Sequence, residues 1–350
     1  KDVTVKAGSI KLEGQSYITS TSQVTEKVGG YGLFEAGEEH ELTRNGGVSL
    51  TGDAIELAGG SYLKTTSNLP YRQAGDIAIK AESIVLGGGS AVVSNTEPSG
   101  QVAGAMEAAG MGEQAPNYGN AGTVAIEGQT VTVTGGSRVA SDSFTDGDGG
   151  NVSIKADTLN LQDKGRIYAG ALNRGDGGRI SIETGILNAE GQAAIVADVR
   201  DSGQGGEVSI DAGEMNLDHA SVYGSTSGEG AGSRIQVQAN ELNLFNGARI
   251  ESAAFGLGQA GELDIAADTV GISGQGEWFD PKDVDAEPSG QVARSGFVTS
   301  TRAGGDAGTI HLNTPNLNLD AGIIGSASTG EGAAGSINLG IGETMLLRND

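Results

Sequence analysis

Three short stretches hold residue types that do chemistry. Asp146-Gly147-Asp148-Gly149-Gly150-Asn151 sets two carboxylates and an amide on a Gly-rich turn, and Asp176 follows 28 residues after Asp148. Oxygen donors gathered in this way are the raw material of a Ca2+ site, which needs about six to eight of them. The spacing matches neither an EF-hand loop nor the nonapeptide calcium repeat. A plain solvated turn is the competing reading. Arg174-Gly175-Asp176 joins a cation and a carboxylate across one turn. That tripeptide is presented by some adhesins to animal cell receptors. Trp278-Phe279 lies in the acidic stretch GEWFDPKDVD. Paired aromatics in a loop either pack the loop down or form a platform for a sugar or a protein. Tyr71 and Tyr118 carry the same two readings. His40, within Glu38-Glu39-His40-Glu41, is one further metal candidate.

These residues sit in a repeat. The first apolar residue of each unit is Val124, Val152, Ile180, Val208, Ile235 and Leu263, with successive spacings of 28, 28, 28, 27 and 28. Each unit holds three short alternating runs. In 151–178 they are Val152-x-Ile154-x-Ala156, Leu159-x-Leu161 and Ile167-x-Ala169. Period-two alternation sends one set of side chains inward and the other outward. A single coil cannot bury its inner face, so coils must stack, each strand pairing in parallel with its equivalent one coil away. The chain is therefore expected to be all-β: a right-handed single-stranded parallel β-helix with three short strands per coil. About ten or eleven coils would give a rod of roughly 50 Å. The period lapses at about 20–45, 95–120 and 274–296, which read as loop insertions in one continuous domain. Two of them share EPSGQVA, at 97–103 and 287–293.

Composition narrows the function. Glycine supplies 61 of 350 residues, aromatics only 4%, and hydrophobic residues 37%, too many for a disordered chain. The net charge of −24 excludes a nucleic-acid binder, which needs basic patches, and disfavours anionic membrane surfaces. There is no Cys, so neither disulfides nor thiolate metal sites exist. No apolar run reaches the ~18 residues needed to insert in a membrane. The opening KDVTVKAG reads as a strand, not a signal peptide.

Units such as ELNLFNGARIESAAFGLGQAGELDIAADTV (241–270) and GGNVSIKADTLNLQDKGRI (149–167) resemble the repeats of filamentous-haemagglutinin-type exoproteins of bacterial two-partner secretion. The resemblance covers the repeat style of the whole chain and not the family's N-terminal secretion domain. It implies a right-handed β-helix, export through an outer-membrane partner, residence outside the cell or on its surface, and a role as adhesin or matrix component. Cell-surface or matrix glycans and proteins are then the expected partners, with end-to-end self-association a further option.

Against this frame the chemical candidates change weight. Gln73, Asn120, Asp148, Asp176, Gln204, Gln259 and Asp306 share one corner column, each followed by Gly-Gly or Ala-Gly. The repeat thus explains Gly175 and Asp176 and leaves only Arg174 over. Asn160, Asn188, Asn216 and Asn243 form a second column, expected to be an outward amide ladder. Lys155, Glu183 and Asp211 read as a solvated face. Catalysis by a polysaccharide lyase or hydrolase needs acids and bases meeting in one groove. The outward residues of the first run, Ser153, Ser181, Ser209, Gln236 and Asp264, supply no such group, and His40, His219 and His311 fall in different coils. The sequence therefore favours a non-catalytic adhesive rod with no cofactor, save Ca2+ at the Asp146, Asp148, Asp176 turn.

Overall fold

The computed structural model describes residues 2–22, 43–69, 72–98, 119–283 and 290–349. Among these residues every regular element is a strand, and no helix is long and apolar enough to cross a membrane. The strands form a wide sheet of 13 and a narrow sheet of 10, both parallel throughout. This is the expected parallel β-helix. His40, Tyr71, Tyr118, most of the first EPSGQVA copy and the first three residues of the second lie outside the described residues.

The register follows the sequence period. Val124 pairs with Val152, Val152 with Ile180, Ile180 with Val208, Val208 with Ile235 and Ile235 with Leu263. In each coil the inward residues are fully buried, as with Val152, Ile154, Leu159, Leu161 and Ile167 in 151–178. Each such side chain is worth about 1.5–3 kcal/mol in transfer from water, set against the ordering of its coil. A slip by one residue would turn this row outward, so burial fixes the register.

The three runs per coil are all present, but the first two join. In the opening coils they are separate strands, Val3–Lys6 and Ser9–Leu12, then Val48–Thr51 and Ala54–Leu57. From Ile77–Leu86 onward they continue as one strand, for example Asn151–Leu161. The inward set steps from Ala156 to Leu159, leaving Asp157 and Thr158 outside, and ladder pairing skips Asp157. That phase change bends the strand around the core.

A tight turn then leads to the narrow sheet. Asp163 and Lys164 both have positive φ, as do Gly135-Gly136 and Asn246-Gly247 at the equivalent corners. The 27-residue coil has a one-residue version: His219, with φ of 50°, stands where its neighbours use two left-handed residues. Its missing residue is therefore lost from this turn. Here the third insertion also leaves the rod, between Ser273 and Gly296. The other two follow narrow-sheet strands, after Ser22 and Thr96.

Candidate functional site: the docked insertion and the corner column

The corner column is a hydrogen-bonded ladder. Asn120 and Asp148 exchange two bonds, Nδ2 to Oδ2 and the Asp148 N–H to Oδ1, both 3.0 Å. The Asp176 N–H donates to Asp148 Oδ1 (2.9 Å), the Gln204 N–H to Asp176 Oδ1 (2.7 Å) and the Ala231 N–H to Gln204 Oε1 (3.1 Å). Each side chain thus fastens the next coil. Gly175 fits this stack for a steric reason: an added Cβ would lie 2.1 Å from the Gly147 carbonyl oxygen. Its φ is not in the left-handed region, so the position demands the missing side chain and not an unusual torsion. Arg174 takes no part in these ladder bonds and is exposed.

The calcium set does not assemble in this geometry. Asp146 accepts from Asn173 Nδ2, while Asp148 and Asp176 are engaged with backbone N–H groups. Among the described residues, the one group of three His or acid side chains with ligand atoms within 4.8 Å is Glu262, Asp264 and His311. Asp146, Asp148 and Asp176 are not such a group.

The Asn column is a ladder as well. Asn188 donates to Asn160 at 3.2 Å, Asn216 to Asn188 at 3.1 Å and Asn243 to Asn216 at 3.1 Å. On the first-run face, Lys155 pairs with Glu183 and Lys80 with Glu127, each at 2.6 Å. These exposed pairs contribute about 0–1 kcal/mol apiece.

The third insertion is different, because it folds back over the outer face of the narrow sheet. Gln275–Glu277 and Val292–Arg294 form a small antiparallel ribbon. Arg249 Nε donates to the Arg294 carbonyl (3.3 Å), and His219 Nε2 bonds the Glu277 carbonyl (2.9 Å). The His219 ring meets Phe279 edge-on, with centroids 5.3 Å apart. The Trp278 N–H donates to the Gln291 carbonyl (2.7 Å). Trp278 and Phe279 are half-buried. What remains open is a small cleft walled by Tyr223, Arg249, Glu251, Trp278, Phe279 and Pro281.

Beneath the insertion lies a charged network on the third run, away from the outward residues of the first run. Asp198 is fully buried on the outer face of the narrow sheet. It accepts from the Tyr168 hydroxyl (3.2 Å) and the Ser225 hydroxyl, and it pairs with Arg200 (3.5 Å) and with Lys282 of the insertion (3.8 Å). Lys282 also lies over the rings of Phe255 (5.0 Å) and Tyr223 (6.0 Å). Two positions away in the same outward column, Asp142 accepts from the Gly170 N–H (3.1 Å). Burial pushes its carboxyl up to about 7; Arg138, that N–H and Arg200 pull it back, and Asp198 adds to the rise. Burial, helped by Asp198 and Asp142, also holds the Tyr168 hydroxyl well above its ordinary range, so it stays a donor.

The sequence signal for this network existed. Tyr168, Tyr223 and Glu251 share one outward column of the third run, and Asp142, Asp198 and Ser225 share the next but one. No known protein family, curated protein or solved structure matches this chain, so the site is interpreted from its own chemistry.

Proposed function

We propose that the chain is a non-catalytic segment of a secreted, cell-surface adhesive rod, akin in repeat style to filamentous-haemagglutinin-type exoproteins. Its ligand contact is the insertion around Trp278 and Phe279. The observation that carries this reading is the contrast between columns and insertion. The corner and Asn columns are taken up in coil-to-coil bonds, whereas the insertion sets two half-exposed aromatic rings beside a cleft with polar walls. Aromatic faces and adjacent Arg and Glu side chains are the surface that sugars and peptides use. The partners are glycans or proteins of a cell surface or matrix, with export through an outer-membrane protein and end-to-end association of rods as further parts of the proposal. The test is a glycan and matrix-protein array, run with and without calcium, comparing wild type with Trp278→Ala and Phe279→Ala. Binding lost in both variants supports the reading; binding that survives both overturns it.

One observation favours a second reading, a polysaccharide-processing enzyme. Asp198 is a buried acid under the insertion, and burial pushes the carboxyl of Asp142, two coils away in the same column, up to about 7, the range of a proton donor in catalysis. Release of oligosaccharide by wild type but not by Asp142→Asn would decide for the enzyme.

A further inference from the structure

We propose that Glu262, Asp264 and His311 form a binding site for a zinc-class divalent cation on the outer face of the wide sheet. The ligand atoms of the three residues lie within 4.8 Å of one another. An imidazole nitrogen among the carboxylates is what separates this group from the acidic columns elsewhere on the rod. His311 and Asp264 stand directly opposite each other in the parallel ladder, and Glu262 precedes Asp264 by two residues on the same strand approach. Their backbones are thus held by sheet pairing, and little ordering remains when an ion binds.

The distances suit the ion. His311 Nε2 lies 3.1 Å from Glu262 Oε1. Two ligands about 2.0–2.1 Å from a tetrahedral Zn2+ stand roughly 3.3 Å apart, so this pair already spans one edge of the coordination shell. Arg234 does not occupy that edge. It holds Asp264 by Oδ2 and Glu262 by Oε2, the oxygen not facing His311. Ligating carboxylates are ordinarily steadied by such outer bonds. His311 Nδ1 faces the Asn338 side-chain amide at 3.3 Å. Turned over, that amide accepts the Nδ1 proton and leaves Nε2 for the metal. One nitrogen and two carboxylate oxygens suit Zn2+ and its transition-metal neighbours; Ca2+ prefers a larger all-oxygen shell. The net charge of −24 further concentrates cations near the rod.

The experiment is equilibrium dialysis of the full chain against ZnCl2. His40→Ala serves as the parent, so that the Glu38-Glu39-His40-Glu41 stretch cannot supply the signal. One Zn2+ per chain is expected in that parent. Adding His311→Ala should remove it, and adding Glu262→Gln should weaken it at least about tenfold, since even outer-shell losses cost ~10–100-fold. These side chains are half-buried or exposed, so far-UV circular dichroism should stay unchanged in the variants. Zinc should raise the parent's melting temperature and leave that of the His311→Ala chain unmoved. No saturable zinc in the parent, uptake that His311→Ala leaves intact, or displacement by equimolar calcium would each overturn the proposal.

Discussion

Asp142 is an acid buried on the outer face of the narrow sheet. In the unfolded chain its carboxyl returns to an ordinary value of about 3.9. Burial in the native state moves it up to about 7. Between these values the native chain keeps a proton that the unfolded chain has lost. Stability must then fall as pH rises through that window, and level off above it. The full cost is about 4 kcal/mol, one pKa unit being worth ~1.4 kcal/mol. Asp142→Asn keeps the shape and the acceptor for the Gly170 N–H but has no charge to bury. Thermal melts at pH 5 and pH 8 should therefore show wild type losing several degrees more than the variant. Comparing the two chains cancels the general self-repulsion of an acidic protein, which both share. Equal losses in the two would mean that Asp142 does not carry the titration.

At the scale of elements, the insertion is a separate unit laid on a finished sheet. Among the described residues its attachments include the ribbon Gln275–Glu277 with Val292–Arg294, the His219 and Arg249 bonds, the Phe279 contact with the His219 ring, and the Lys282 contacts with Asp198 and two aromatic rings. Elements with few buried contacts open before the global transition. Trp278 is the only Trp, so its fluorescence reports this element alone. In a urea titration the Trp278 signal should change at lower urea than the far-UV circular dichroism of the sheets. Lys282→Ala should move the first transition down and leave the second in place; coincident transitions in both chains would show that the insertion is part of the cooperative core. The coils themselves were legible in the sequence because their inward residues recur every 27–28 positions. The joining of the first two runs was not, since Asp157 and Thr158 look like any polar turn until Ala156 and Leu159 are both found inside. The columns of the buried network were readable, but its link to the insertion was not. Tyr168 and Asp198 are outward residues of their strands, yet Lys282, some eighty residues on from Asp198, folds back to meet it. No local pattern carries that contact. The corner ladder was legible as a column, but not that its bonds would tie the Asp148 and Asp176 carboxylates to the next coil.

Across the whole molecule, the docked insertion apart, each coil of the described sheets pairs with the coil before it and the coil after it. The ladder order of the wide sheet, from Val3–Lys6 to Ile337–Arg348, follows chain order coil by coil. Stability in such an array is close to a sum of coil terms and neighbour terms. Damage in one coil should then spread only a short way. The glycine stack offers a clean place to inflict it. Gly203 rests on Gly175, and an added Cβ would lie 1.9 Å from the Gly175 carbonyl oxygen. Gly203→Ala must push these coils apart, at about 1–3 kcal/mol for overpacking. Hydrogen exchange should accelerate in Asn151–Leu161, Arg179–Glu190 and Glu207–Asp218, the strands of the damaged coil and its neighbours. Ile77–Leu86 and Ile310–Asp320, three or more coils away, should keep wild-type protection. Acceleration shared equally by every strand would instead mean that the rod opens as one unit, and that the core row from Val48 to Ile310 couples its ends more strongly than neighbour contacts alone allow.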